Sequence, residues 1–438
     1  MGRVTRRLRL GRIVASVPRR ALLRHLRSST PADGSPERVV ILLSSAWGMG
    51  GTIRAALNLA GWLGRSEQVE IISPYRRRDE PFFGAFPAGV RVTALADERP
   101  GRGPSGFARV LHRLPSVLFP RVDRLKRDHS LLTDLRLVRR LRGGRGVVIA
   151  TRPGLNLMLA QMRPPGYVTV GLEQMHLDHH RPRLRKPIER LYPRLDAIVT
   201  LTNRDARSYR AMLGEAFKVA VIPNTVAPLG GPEPDLAARR AIAAGRLGRL
   251  GQKGYDLLMH AWVPVAERHP DWTLRIVGEG PWRPQLEALR DELGLTDVVE
   301  LPGATGDMGA ALADSSVFVL SSRFEGFPLI LLEAMSKGLA VASFDCPTGP
   351  ADIIDDRRNG LLVPEQDVEA LSRAILELVD DEQLRRRCGD AARETARDFT
   401  MAAVGPRWDA LLAALRQPGG ARASRPEAAA AAALVRAA

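Results

Sequence analysis

The sequence predicts an α/β protein built from parallel sheets and divided into two domains, and three observations predict it. Short apolar, β-branched runs recur along the chain with helical patterns between most of them, as in parallel strands joined by crossover helices. A length of 438 residues is enough for two domains that each bury a core. A Pro/Gly cluster at Pro223–Pro234 then interrupts the pattern and marks a linker.

Residues 1–37 form a basic arm. Nine arginines and no acidic residue fall within residues 1–30. Leu10, Ile13, Val14 and Val17 have helical spacing, and Leu22, Leu23 and Leu26 follow the interruption at Pro18. Two readings fit this pattern, an amphipathic anchor on an anionic membrane or a disordered solvated arm. Arg12 breaks the apolar stretch, which argues against a signal peptide.

The first domain is expected over 38–222. It begins with the run Arg38–Ser44, which leads through a glycine-rich turn containing Gly50 and Gly51 into a helix reaching about Leu63. No Gly-Lys-Ser/Thr follows, so the turn is not a phosphate-binding P-loop. Further strands are predicted at Val69–Ser73, Val90–Ala94, Val147–Ala150, Tyr167–Gly171, Ala197–Leu201 and Val219–Ile222. The Gly-, Pro- and Arg-rich stretch Asp97–Leu118 reads as a mobile loop or lid. A linker is expected over 223–236, and a second domain over 237–400. A helix over 401–416 then crosses back to the first domain, and 417–438 reads as a disordered tail rich in Pro, Gly and Ala.

The chemistry concentrates in the second domain. Ala241–Leu247 reads as a strand ending in Gly-Arg, and Gln252-Lys253-Gly254 leads into the amphipathic stretch Tyr255–Arg268. Arg246 and Lys253 would lie at the carboxyl end of that strand, the edge where open α/β sheets bind ligands. A forked guanidinium and a compact ammonium suit a shared diphosphate charge. Val317–Leu320 reads as a buried strand, followed by a loop carrying Glu325 and a helix whose first turn accommodates Pro328. The free N–H groups of Leu329 and Ile330 would face a bound anion. Glu333 would stand roughly 6–8 Å from that anion, a separation that suits a ribose. Glu325 is left to face a sugar beyond the phosphates. Together these features read as a site for a sugar nucleotide.

The combination Gly245-Arg246-Leu247, Gln252-Lys253-Gly254-Tyr255, Val277-Gly278-Glu279-Gly280-Pro281 and Glu325 to Glu333 resembles the retaining glycosyltransferases of family 4. Gly338–Gly349 and Asn359–Pro364 continue the likeness, which covers roughly residues 218–400. The resemblance implies a GT-B fold of two Rossmann-like domains with parallel sheets facing across a cleft. It implies that Arg246 and Lys253 bind the donor diphosphate, Glu325 the transferred sugar and Glu333 the ribose. Gly278, Gly280, Gly326 and Phe327 would border the donor cleft. The loop at Gly50 and Gly51 would face the acceptor, although Gly-Met-Gly-Gly-Thr departs from the family's commoner Gly-Gly-Ala/Thr-Glu form. His176, after the strand at Tyr167–Gly171, matches a histidine that family members often hold near the reacting sugar; the other reading is a structural histidine.

No cofactor or metal is expected, because the two cations and the helix N-terminus would carry the leaving-group charge. The histidines at 176, 179 and 180 lack the cysteines or His-x3-His spacing of a zinc site. Cys346 and Cys388 suggest no disulfide framework. The expected partners are a nucleotide sugar, most simply a UDP-sugar, and a glycan or lipid-linked acceptor of the cell envelope. An anionic membrane surface is a further candidate. A formal charge of +17 also suits nucleic acid, but no zinc-finger or aromatic-interleaved basic pattern is present. With no apolar run of eighteen residues, a cytoplasmic protein is expected, held at most peripherally on the membrane's inner face. Two enzyme alternatives stay open, a sugar-nucleotide epimerase of the same fold and a transferase acting on a soluble acceptor such as an inositol phosphate. A non-catalytic scaffold is the third reading, disfavoured by intact Arg246, Lys253, Glu325 and Glu333.

Overall fold

A computed structural model describes residues 18–31, 36–248 and 251–417. The chain divides into two compact units. The first comprises 1–222 with 405–438, and the second comprises 223–404.

The first unit holds strands β1 (Glu37–Leu42), β2 (Gln68–Arg76), β3 (Val90–Asp97), β4 (Arg145–Ala150), β5 (Tyr167–Leu172), β6 (Ala197–Thr200) and β7 (Val219–Val221). Among the described residues they form one sheet, ordered β3-β2-β1-β4-β5-β6-β7, with every pairing parallel. The central strands are covered on both faces, so they read as continuous apolar runs rather than alternating ones. Val39, Val40 and Ile41 of β1 and Val147, Val148 and Ile149 of β4 are fully buried. Each such side chain contributes about 1.5–3 kcal/mol on leaving water.

Two expectations for this unit need correcting. Residues 18–27 are helical, and Leu22 and Leu26 lie in the first unit's core with Leu23 packed against it. Arg27 Nη2 donates to the Gln161 carbonyl at 2.7 Å. This part of the basic arm is therefore neither a membrane anchor nor a solvated tail, because its leucines are already buried. The earlier half of the anchor reading lies outside the described residues, as does the tail over 418–438. The segment Asp97–Leu118 contains a helix, Gly106–Arg113, rather than a continuous loop. Glycines at 101, 103 and 106 hid a run that is otherwise compatible with a helix.

The first unit is completed by the far end of the chain. The helix Met401–Arg416 begins in the second unit and ends in the first. Gly405 lies so close to Trp62 that an added Cβ would stand 2.2 Å from the indole. Trp62 Nε1 donates to Asp409 at 3.0 Å, and Arg416 grips Glu67 through two bonds of 2.7 Å.

The second unit holds β8 (Arg240–Ala244), β9 (Thr273–Val277), β10 (Val299–Gly303), β11 (Val317–Leu320), β12 (Ala340–Asp345) and β13 (Leu361–Pro364). Their order is β10-β9-β8-β11-β12-β13, again all parallel among the described residues. The order reverses between β8 and β11, a switch point that opens a crevice at the carboxyl ends of both strands.

The expected linker is fastened to this unit rather than free. Val226 N–H donates to the Phe399 carbonyl at 2.9 Å, and Lys337 Nζ donates to the Pro232 carbonyl at 3.0 Å. An added Cβ on Gly309 would meet the Gly230 carbonyl oxygen at 2.1 Å.

Candidate active site

Three loops meet at the carboxyl edge of β8, β9 and β11, and glycine lets them touch backbone to backbone. The strand β8 stops at Ala244, earlier than its apolar run suggests, because Gly245 turns away with φ +156°. A Cβ on Gly278 would lie 1.9 Å from the Gly245 carbonyl oxygen, and one on Gly280 would lie 2.1 Å from that of Leu247. No side chain fits either contact. Gly254 is the most constrained of these positions: its φ is +61°, and a Cβ would lie 1.9 Å from the Ser321 carbonyl oxygen.

That approach seats the loop after β8 on the loop after β11. Arg323 N–H donates to the Gln252 carbonyl at 2.8 Å, and Ser321 Oγ donates to that of Lys253 at 2.9 Å. Arg323 clamps Asp256 through bonds of 2.8 and 2.6 Å. Burial opposes ionisation of Asp256, but the Arg323 guanidinium outweighs it and holds the carboxyl below its usual range.

At the centre of this seam Lys253 Nζ donates to Glu325 Oε1 at 2.7 Å, and Ser322 Oγ donates to the same oxygen at 2.6 Å. The side chains of Lys253 and Glu325 are 19% and 8% exposed. Thr348, buried with φ +78°, bonds through Oγ1 to the Glu325 carbonyl at 2.8 Å. Buried beneath are Tyr255 and Cys346. Burial first, and then the nearby Glu325 charge, pushes both their ionisations well up and keeps them neutral. Arg246 is exposed at the head of the same loop and has no ion-pair partner among the described residues.

The helix Leu329–Ser336 starts at this seam. Pro328 is its N-cap with ψ 94°, outside the helix rather than in the first turn as expected. The consequence for the backbone is unchanged. Leu331 N–H is the first to bond back, to the Pro328 carbonyl at 3.1 Å, so the Leu329 and Ile330 N–H groups precede the helix's own hydrogen bonding. Glu333 is buried in this helix. Gly326 is half-buried, and Phe327 is buried with its ring 5.6 Å from that of Phe399. The structure thus brings Lys253 and Glu325 into direct contact, with Gly278 and Gly280 on neighbouring loops of the same edge.

The remaining candidates belong to the first unit. Gly50 is the N-cap of the helix Gly51–Leu63 with φ 146°, a conformation that favours glycine, and Gly51 is exposed. His176 is buried on the loop after β5. Its Nδ1 accepts the Asp178 N–H at 3.1 Å, which leaves the proton on Nε2, 4.0 Å from Asp205 Oδ1. Burial lowers its pKa and favours the neutral ring.

Sequence reasoning missed the buried network that holds the His176 loop. Glu173, fully buried, accepts from Asn156 Nδ2 at 2.7 Å and from the Tyr192 hydroxyl, and its other oxygen lies 3.2 Å from His180 Nε2. Asp205 accepts the Leu177 N–H at 3.0 Å. Burial pushes the Asp205 carboxyl up to about 7, the neighbouring Glu173 charge adding to that effect against the Leu177 bond. The residues joined by these contacts stand 7 to 28 positions apart along the chain, so no local motif announces them. Ser322, three residues before Glu325, was the nearer signal, since a hydroxyl so placed can reach back to the carboxylate. Among the described residues no group of three His, Cys, Asp or Glu is disposed to hold a metal ion. No described helix is long and apolar enough to cross a membrane.

Comparison with known proteins bears on the same residues. Residues 238–395 match the family described as glycosyl transferases group 1. An exopolysaccharide phosphotransferase of Streptomyces coelicolor is 34% identical over 86% of this chain, but the match covers 41% of that protein. The chain spans about half the length of the curated relatives it matches. Among solved structures, Anabaena HepE in complex with UDP and glucose has a TM-score of 0.68 at 17% identity, covering 86% of this chain and 100% of that one. Sucrose-phosphate synthase from Thermosynechococcus elongatus has a TM-score of 0.67 at 18% identity, covering 86% and 99%. Both likenesses rest on fold alone, and the fold is GT-B. The glycine-locked seam and the Lys253–Glu325 pair at its centre thus lie within residues 238–395, the part of the chain that matches glycosyl transferases group 1.

Proposed function

We propose that this chain is a retaining glycosyltransferase that moves a hexosyl group from a UDP-sugar to a cell-envelope glycan at a membrane's inner face. The observation that carries the reading is the Lys253–Glu325 pair at the carboxyl edge of β8 and β11, beside the start of the helix Leu329–Ser336. A nucleoside diphosphate gains negative charge as its bond to the sugar breaks. Lys253, held by Glu325, and the Leu329 and Ile330 N–H groups are a fixed positive arrangement suited to that charge, and exposed Arg246 adds a further cation. Such preorganised groups contribute several kcal/mol of transition-state stabilisation in a water-poor site.

Glu333 takes the ribose hydroxyls, and Glu325 takes a hydroxyl of the transferred sugar while holding Lys253 in place. Glu325 is not a covalent nucleophile in this scheme, because Lys253 and Ser322 already engage its Oε1. The acceptor oxygen instead attacks from the face the diphosphate leaves. Its proton passes to the departing phosphate oxygen, and the anomeric configuration is kept. His176, neutral and buried on the loop after β5, is the first unit's candidate for contact with a sugar. With these cations the reaction needs no metal. The UDP named in the HepE complex supports the base, and the exopolysaccharide named for the Streptomyces relative supports the acceptor class.

That relative's name also supports a second reading, transfer of a sugar phosphate. The products separate the two, since glycosyl transfer releases UDP and phosphosugar transfer releases UMP. The test is a screen of nucleotide sugars by calorimetry on the full chain, then proton NMR and nucleotide analysis of the first product formed. UDP release with an α linkage from an α-linked donor is expected. UMP release, or failure of every nucleoside diphosphate to bind, would overturn the proposal.

A further inference from the structure

The helix Gly106–Arg113 presents to solvent what a helix normally hides. Phe107 and Val110, at i and i+3 of one face, are 75% and 53% exposed, and Leu114, the extended residue that caps the helix at i+7, is 44% exposed. Scattered exposed apolar residues need no explanation, but three in register on one stripe do. Arg109 and Arg113, both exposed, flank the stripe.

Beside the helix opens a cavity of about 400 Å³ whose wall carries Arg113, Arg121, Lys126 and Arg127. All four are exposed, and none has an ion-pair partner among the described residues. The one carboxylate of the wall, Asp128, is already held by Arg77 at 3.0 Å. The floor is His129, 7% exposed and stacked on Phe119 with ring centroids 3.8 Å apart. Burial, reinforced by the Arg152 charge, pushes this histidine down to about 3, so it adds no charge of its own. The positive charge of the cavity is therefore uncompensated.

We infer that this face docks the first unit on an anionic phospholipid surface, with Phe107, Val110 and Leu114 entering the acyl boundary and the cavity's cations taking lipid phosphates. A soluble polyanion would satisfy the cations but has no use for an apolar stripe beside them. A neutral membrane would accept the stripe but leave four cations without counter-charge. Only a surface that is apolar beneath and anionic above matches both. Leu22 and Leu26, being buried, do not supply this contact. The inference shares with the proposed function the idea of a membrane-borne acceptor, but it rests on different residues.

Vesicle co-sedimentation of the full chain tests it, comparing phosphatidylcholine alone with phosphatidylcholine containing phosphatidylglycerol. The chain should bind the anionic vesicles at low salt and not the neutral ones. Lys126→Gln with Arg127→Gln should weaken that binding about 30-fold, each cation near the surface accounting for roughly fivefold. Phe107→Ser should weaken it about tenfold or more. The unsubstituted chain should bind UDP and each variant should bind it equally; failure of the unsubstituted chain to bind UDP would overturn the donor site alone and leave this inference standing. Equal binding to both vesicle types, or unchanged binding by either variant, would overturn the inference. Inorganic phosphate should release the protein no better than chloride at the same ionic strength. Release by phosphate, or competition by a soluble glycerol phosphate polymer with Phe107→Ser neutral, would reassign the cavity to a soluble anion.

Discussion

The ion pair between Lys253 and Glu325 can be taken apart one partner at a time, and the two halves should move UDP affinity in opposite directions. Lys253→Met leaves the Glu325 carboxylate, 8% exposed, with Ser322 Oγ at 2.6 Å as its remaining partner. Breaking a fully buried pair costs about 3–5 kcal/mol, but water reaches this one through the 19% exposed lysine, which brings the expectation down to about 1–3 kcal/mol of stability. The same substitution removes a charge-assisted contact to the diphosphate worth roughly 1.5–3 kcal/mol, so UDP should bind about 10- to 150-fold more weakly. Glu325→Gln keeps an oxygen for Lys253 and Ser322 but deletes a negative charge beside the phosphates. At the effective dielectric of a partly exposed site that is worth on the order of 1 kcal/mol, and UDP should bind about fivefold more tightly. Turnover should still fall, because the hydroxyl contact to the sugar is weakened. Calorimetry with UDP on the two single variants and the double variant gives the coupling, and thermal unfolding confirms that each is folded. The double variant should be more stable than Lys253→Met alone. If Glu325→Gln weakened UDP as much as Lys253→Met does, the carboxylate would be holding the nucleotide itself and the division of roles would be wrong.

The seam and the buried network make their own predictions. Gly254→Ala places a Cβ 1.9 Å from the Ser321 carbonyl oxygen at φ +61°, so the second unit should lose more than about 2 kcal/mol and UDP binding should fall with it; a melting curve like that of the wild type would show that the two loops part easily. Asp205 titrates near 7 when folded against 3.8 for an ordinary aspartate, so its ionisation opposes folding increasingly as pH rises from about 4 to 7. Asp205→Asn should therefore gain stability relative to the wild type across that window, by at most about 4 kcal/mol. Denaturant unfolding at pH 5 and pH 8 reads the difference, and a gap that does not widen with pH would refute the assignment.

What the sequence made legible follows from how far each signal reaches along the chain. Parallel strands buried on both faces announce themselves as short apolar runs, which is why β1, β4 and β11 were readable. Glu325 and Glu333 were visible because one loop and one helix carry both, and Arg246 and Lys253 because seven residues separate them. The bond between Lys253 and Glu325 was not visible, since it joins two crossovers 72 residues apart and exists only once β8 and β11 are neighbours. The Glu173 network escaped for the same reason. The basic arm misled because helical spacing of Leu22, Leu23 and Leu26 says that one face is apolar but not what covers it. The stretch after Asp97 misled in the other direction, because glycines set the local propensity against a helix that its neighbours nonetheless support.

The return of the chain at Gly405 also has a consequence for the order of events at the ribosome. Trp62 and Glu67 are made early, yet Gly405, Asp409 and Arg416, which close over them, are synthesised more than three hundred residues later. The first unit therefore emerges with an unfinished flank and must wait through translation of the whole second unit. For that interval the Trp62 indole, with Arg65 over its ring at 3.8 Å, lacks its hydrogen-bond acceptor and Glu67 lacks Arg416, a window in which a chaperone can hold the nascent chain. For the same reason a fragment ending at Ile222 lacks part of its own unit, whereas one that rejoins 405–416 to it restores the Trp62–Asp409 and Glu67–Arg416 bonds.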